Sequence, residues 1–269
     1  MRLLRHLHDG ARNVLGERVY GKLVQSVLKN GVTRKLALAE FMARDIGPNG
    51  LEVRRLFEHD RAVVLSLAVQ YAYDTYVEGD IAEFGTASGL TARVIARAMV
   101  AAERDRPTKR FHLFDSFMGF PEATLDVDKN SYEIRTGVWK AGAPRLLSKD
   151  ELFQSCSRIL PSARLVMHDG WFKDTVSRLP LEQRFALIHF DGDLYQSTID
   201  AFGRLFEIGA ITNGAVICFN GWNGGQADPN RGERGAWKEL TEKYHVVFSD
   251  WRAYGALGRS FFVHDYRRA

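Results

Sequence analysis

The sequence predicts an α/β protein built on a doubly wound, mostly parallel sheet of seven strands. Three observations predict it. From Asp80 onward, short apolar runs alternate with amphipathic helical segments. A glycine-punctuated turn joins the first run to the first helix. The last two runs are separated only by Trp251–Gly258, too short for a crossover helix, so they pair as a C-terminal antiparallel hairpin.

The strands are expected at Ile81–Phe84, Phe111–Phe114, Ala163–Met167, Phe185–Phe190, Gly214–Phe219, Tyr244–Ser249 and Ser260–His264. Most are continuous apolar runs, as strands covered on both faces should be. The intervening helices are expected at Leu90–Ala102, Ser148–Ile159, Ser197–Ile208 and Arg234–Lys243. Ser148 with Glu151 three residues on reads as a capping box. Upstream, Glu52–Val77 reads as a long helix, apolar on more than one side and therefore largely buried. Ile46-Gly-Pro-Asn-Gly50 reads as a break that divides an N-terminal helical arm, residues 1–50, from the main domain, residues 51–269. The stretch Phe117–Lys149 has no period and is too long for an ordinary connection, so a lid over a substrate is expected.

Composition excludes several classes. The chain has 269 residues, 45% of them hydrophobic, enough for one large domain. The net charge of +4 is spread over short basic groups, such as Arg104/Arg106/Lys109/Arg110, without a long basic tract interleaved with aromatics. Nucleic acid is therefore not expected as a partner. Cys156 and Cys218 make no disulfide framework, and no apolar run is long enough for a membrane span. Met1-Arg-Leu-Leu-Arg-His6 lacks the features of a signal peptide, so a cytoplasmic protein is expected. The arm is expected to mediate a homo-oligomer, with no heptad to set the copy number.

The most specific local signal is Asp80-Ile-Ala-Glu-Phe-Gly-Thr-Ala-Ser-Gly-Leu90. Gly85 permits a tight turn after the strand, and Gly89 opens the helix close to a ligand. The helix N-terminus offers unpaired N–H groups, and Thr86, Ser88 and Gly89 are candidate cofactor-binding residues. The spacing Gly-x-x-x-Gly differs from the Gly-x-Gly-x-x-Gly of dinucleotide sites. Glu83 stands before the turn, where a carboxylate can accept from an ammonium. Asp115, with Ser116 and Phe117 after it, ends the second strand, where an acid can bind ribose hydroxyls. The third strand ends His168-Asp-Gly-Trp171. There Asp169 is placed to reach an adenine amino group, with Gly170 beside it and Trp171 to cover the base. Together these groups suit S-adenosylmethionine, which carries an ammonium, a carboxylate and a sulfonium. The bland alternatives are a plain turn at Gly85, a turn cap at Asp115 and core packing for Trp171. His168 is a further candidate for a catalytic or substrate-binding role.

Asp191-Gly-Asp-Leu-Tyr-Gln-Ser-Thr198, with Gly170-Trp-Phe-Lys-Asp-Thr175 upstream, resembles the macrocin O-methyltransferase family. The resemblance runs from about Glu78 to Ala236 and includes Glu83-Phe-Gly85 and Asp115–Pro121. It implies a class I, Rossmann-like methyltransferase fold and S-adenosylmethionine-dependent methylation of a sugar hydroxyl on a natural product or polysaccharide. It also implies a divalent metal, usually magnesium, held by Asp191 and by an aspartate pair after the next strand. Asp193 is implied as the general base. Here Phe219 and Asn220 stand where that pair belongs. Phenylalanine cannot ligate a metal and an amide offers only a neutral oxygen. The expectation is therefore a metal-free reaction, with Asp191 or Asp193 as base and Asn220 bonded to the acceptor. A non-catalytic S-adenosylmethionine-binding protein and a methyltransferase acting on another small molecule are the alternatives.

Overall fold

The computed structural model describes residues 47–104 and 108–268. The helical arm expected before residue 47 lies outside the described residues. The chain divides into two compact units, Met1–Arg55 and Leu56–Ala269; the second carries the sheet and the candidate site.

The sheet has seven strands in the order β3-β2-β1-β4-β5-β7-β6. They are β1 (Asp80–Phe84), β2 (Phe111–Asp115), β3 (Leu165–Asp169), β4 (Phe185–Phe190), β5 (Ile211–Phe219), β6 (Val247–Tyr254) and β7 (Gly258–Asp265). The first five run parallel, and β7 pairs antiparallel with both β5 and β6. This is the doubly wound sheet with the C-terminal hairpin that the sequence predicts.

Helix α1 (Gly47–Asp74) precedes the sheet. The expected break at Ile46–Gly50 is instead the first turn of α1 from Gly47 on, where a proline costs no hydrogen bond. From Val64 on, α1 buries one stripe: Val64, Leu65, Ala68, Val69, Ala72 and Tyr73. Val63 and Leu67 stay exposed, so burial is one-sided rather than all round. Helices α2 (Leu90–Glu103) and α5 (Lys149–Ser157) join α1 in a core that includes Ile81, Leu113 and Leu187. The opposite core sets Ala82, Phe84, Ile188 and Phe190 against α6 (Phe172–Val176), α7 (Tyr195–Glu207) and α8 (Gly232–Lys243). Successive strand residues feed opposite cores, which is why β1 and β4 are mostly apolar, with the mutually bonded Glu83 and His189 as the buried polar residues.

The lid region holds two one-turn helices, α3 (Asp126–Lys129) and α4 (Tyr132–Arg135). Four-residue helices leave no periodic signature, so this structure was not legible in the sequence. The capping box at α5 forms as expected: Glu151 N–H donates to Ser148 Oγ, and Ser148 N–H donates to Glu151 Oε2 at 2.9 Å. Cys218 and Cys156 are buried, free thiols. Among the described residues no helix is long and apolar enough to cross a membrane.

From β1 the chain steps outward to β2 and β3, then returns to place β4 on the other side of β1. The loops after β1 and β4 therefore leave in opposite directions and open a crevice at the carboxyl ends of the strands.

Candidate functional site

A cavity of about 490 Å³ fills that crevice, and residues from the loops after β1, β2, β3 and β4 line it. One end is the glycine turn. Gly85 sits at φ +81, and a Cβ there would lie 2.1 Å from the carbonyl oxygen of Asp191. The residue must be glycine because the two strand ends converge on it: Gly85 N–H donates to Phe114 O, and Asp191 N–H donates to Phe84 O.

Asp115 holds the turn. Its Oδ2 accepts from Thr86 N–H at 2.7 Å and from the Thr86 hydroxyl at 2.8 Å, while Oδ1 accepts from Phe117 N–H at 2.7 Å. Asp115 is thus a turn cap as well as a wall of the cavity. Ser116 Oγ accepts from Met118 N–H, and both Ser116 and Phe117 line the cavity. Gly89 caps α2 at φ +65, and Arg93 donates to the Ser88 carbonyl. Gly170 and Trp171 reach the cavity, with Trp171 only part-buried and so not core filler.

Thr86, Ser88 and Gly89 do not line the cavity; Thr86 N–H is taken by Asp115, and Gly89 N–H donates to Thr86 O at 2.6 Å. Three further sequence-predicted residues lie elsewhere. Glu83 is 0% exposed, its Oε1 3.0 Å from Nδ1 of the equally buried His189. Burial pushes the Glu83 carboxyl up, against the hydrogen bond from His189. Glu83 does not line the cavity, since its side chain points into the core that holds α2. Asp169 is exposed and lies 3.7 Å from Lys149 Nζ, outside the lining. His168 stacks on Phe114 at 3.9 Å, and its Nε2 is 2.9 Å from His112 Nδ1, so it belongs to the edge of the sheet. Burial and the neighbouring His112 push its pKa down to about 3, which keeps it neutral.

The other end of the cavity is acidic. Asp191, Gly192 and Asp193 follow β4, with Asp193 at φ +57. Asn220 does not line the cavity; its Nδ2 donates to Asp191 Oδ1 at 2.8 Å, so it orients the first aspartate instead of meeting an acceptor. Phe219 points away, into a cluster with Phe202, Trp222 and Trp237 at centroid distances of 5.4, 5.4 and 5.3 Å.

A third carboxylate, unanticipated from the sequence, joins the two aspartates. Glu233, in the first turn of α8, is 0% exposed. Its Oε2 accepts from Gly221 N–H at 2.8 Å and its Oε1 from Asp193 N–H at 3.4 Å. Asp191, Asp193 and Glu233 each present an oxygen within 4.8 Å of the others. Burial, then the charge of Asp191, drives the Asp193 carboxyl well above the ordinary range. Burial, then the charges of Asp193 and Asp191, does the same to Glu233. Gly221 makes the approach possible: a Cβ there would lie 2.8 Å from Asp193 Oδ1 and 3.2 Å from Glu233 Oε1. Three convergent carboxylates are the oxygen donors that a hard divalent cation prefers, so this donor set fits the implied magnesium.

Neither aspartate caps α7. That is done by Asp128 of α3, 2% exposed, whose Oδ1 accepts from Tyr195 N–H at 2.8 Å and Oδ2 from Gln196 N–H at 3.0 Å. The lid is thereby fastened to the helix that leaves the Asp191–Asp193 turn. A second tie joins it to the glycine-rich loop, where Glu133 Oε1 accepts from Gly225 N–H at 2.8 Å. Gln196, Ser197 and Asp200 of α7 and Arg145 of the lid also line the cavity. Tyr132, Trp139 and Lys140, the lid residues that sequence favours as contacts, do not.

The sequence model of the macrocin-O-methyltransferase (TylF) family matches residues 56–224. The chain belongs to this family. Among curated relatives, it is 34% identical over 148 residues to the 8-demethyl-8-(2,3-dimethoxy-alpha-L-rhamnosyl)-tetracenomycin-C 4'-O-methyltransferase of Streptomyces olivaceus, covering 51% of this chain and 52% of that one. It is 33% identical over 153 residues to the mycinamicin III 3''-O-methyltransferase of Micromonospora griseorubida, covering 53% of this chain and 55% of the relative. The matches thus span about half the length of these relatives. Among solved structures, the O-methyltransferase NovP superposes with a TM-score of 0.61 at 22% identity over 77% of this chain and 80% of its own. The calicheamicin methyltransferase CalS11 gives 0.57 at 19% identity over 90% of each chain. Both share the fold. The family match ends at residue 224, before Glu233.

Proposed function

We propose that this macrocin-O-methyltransferase family member transfers a methyl group from S-adenosylmethionine to a hydroxyl of a sugar moiety. One observation carries the reading: the glycine turn held by Asp115 and the carboxylates of Asp191 and Asp193 line the same cavity at the switch point of the sheet. Both named curated relatives are O-methyltransferases by their names, and the Streptomyces olivaceus enzyme is named for a rhamnosyl-bearing substrate, which supports the acceptor class.

The donor occupies the Gly85–Asp115–Trp171 end. Phe117 and Trp171 flank its base. The acceptor lies toward α7, where Gln196, Ser197 and Asp200 offer hydrogen bonds to sugar hydroxyls. Asp193 takes the proton of the attacking hydroxyl. As that oxygen forms its bond to the methyl carbon, the carbon–sulfur bond breaks and S-adenosylhomocysteine leaves. A divalent cation bound by Asp191, Asp193 and Glu233 would neutralise the cluster and favour the ionised hydroxyl.

Calorimetry and a methyl-transfer assay test this. S-adenosylhomocysteine should bind while a nicotinamide dinucleotide does not, and labelled methyl should appear on oxygen in a panel of deoxysugar glycosides. Failure to bind S-adenosylhomocysteine overturns the reading. Binding without transfer to any glycoside overturns the sugar acceptor.

A further inference from the structure

The aspartate pair that the family pattern places after β5 is absent, and its loss is what predicts a metal-free centre. That expectation counts carboxylates at the strand end alone. In three dimensions a carboxylate returns to the same place from another element. We propose that Glu233 of α8 takes over as a cation ligand, so that Asp191, Asp193 and Glu233 form a divalent-metal site with a rearranged ligand set. The inference rests on the methyltransferase reading above.

The geometry supports a built site rather than a chance cluster. Glu233 is 0% exposed, on a helix whose other charged residues largely face outward. Its Oε2 is fixed by Gly221 N–H at 2.8 Å, which aims the remaining oxygen at Asp193. Gly221 directly follows Asn220, and any side chain at 221 would strike both carboxylates. Space has thus been left at the β5 end for Glu233 to enter where the strand itself offers no carboxylate. Among the described residues, no Lys, Arg or His forms an ion pair with any of the three acids. Arg61 of α1 acts on Asp193 only from beyond ion-pair distance. Three carboxylates are an excess of negative charge that a divalent ion balances. Asn220, bonded to Asp191 Oδ1, orients that ligand.

The substitution also makes structural sense of the chain order. A ligand at the β5 end depends on the strand alone. A ligand on α8 depends on the glycine-rich loop 223–232, to which the lid is tied through Glu133 and Gly225. Metal, lid and loop are then parts of one assembly.

The test titrates Mn2+ and Mg2+ into the full-length protein stripped with chelator, read by calorimetry and by the Mn2+ electron paramagnetic resonance signal. Wild type should bind one equivalent. Glu233→Gln keeps an acceptor for Gly221 N–H and should weaken binding about tenfold or more. Asp126→Asn, an exposed lid acid, should not change it. Absence of saturable binding in wild type, or equal affinity in Glu233→Gln, overturns the proposal. S-adenosylhomocysteine is titrated in parallel in excess chelator. If it binds and the cation does not, the metal inference alone fails; if it does not bind, the methyltransferase reading fails. Should Glu233→Gln not fold, a wild-type crystal soaked in Mn2+ decides. An anomalous peak bonded to both Asp191 and Glu233 supports the site, and no peak, or a peak lacking Glu233, overturns it.

Discussion

The two ends of the cavity treat their carboxylates in opposite ways. At the glycine turn, Asp115 accepts hydrogen bonds from Thr86, its hydroxyl, and Phe117, all between 2.7 and 2.8 Å. That carboxylate is fully engaged, and its partners lie within the two adjacent strand–loop segments. At the acidic end, Asp193 and Glu233 face each other and Asp191, and both are pushed toward the protonated form. The first arrangement builds a rigid shape for a ligand to bind. The second stores electrostatic strain that a proton or a cation relieves. Binding of the donor and chemistry on the acceptor are thereby assigned to different kinds of carboxylate.

The largest effect that can break this comparison is at Asp193. Asp193→Asn should lower kcat by about 10²- to 10⁴-fold, the usual contribution of a general base, with little change in S-adenosylhomocysteine affinity. A base must be ionised to act, so an acid limb in the wild-type pH profile should vanish in the variant. An unchanged pH profile in Asp193→Asn would remove Asp193 from the proton transfer.

The converse substitution sharpens the donor end. Asp115→Ala removes charge-assisted hydrogen bonds, each worth about 1.5–3 kcal/mol. S-adenosylhomocysteine affinity measured by calorimetry should fall about 10- to 100-fold. Full affinity in this variant would mean that the turn holds its shape without its carboxylate.

The smallest expected effect lies at the junction between lid and α7. Asp128→Ala leaves the first N–H groups of α7 without their acceptor, a loss of about 1 kcal/mol. The midpoint of thermal unfolding should drop by about 2–4 °C. Asp128→Asn retains one of the two acceptors and should recover only part of it. A full-sized loss in the asparagine variant would show that the charge, rather than the cap, holds the lid.

How much of this was legible in the sequence follows the range of the interactions. The strands announced themselves because a parallel sheet between two helical layers needs apolar residues on both faces, as at Phe84 and Leu187. The glycine turn was legible because its parts are contiguous, and Gly85 must be glycine for a local reason. Asp115 was named as a ligand-binding acid with a turn cap as the alternative, and the coordinates show that it is a cap and a cavity wall at once. The lid was recognisable by its lack of period, yet its two one-turn helices and the Asp128 cap on α7 were not, since a cap supplied from 67 residues away has no sequence spacing.

The acidic end shows the limit most clearly. The sequence by itself determined that Asp191 and Asp193 stand at the end of a strand, and that Phe219 and Asn220 take the place of an aspartate pair. Tertiary structure alone decided that the site still holds three carboxylates. Helix α8 begins at Gly232 rather than Arg234, and this earlier start puts Glu233 in its first turn. From there Glu233 reaches the backbone of Gly221 and the side of Asp193, because Gly221 leaves the space open. Periodicity records which face of a helix is buried. It does not record which buried glutamate folds back onto a turn 12 residues earlier, and electrostatics depends on that distance in space.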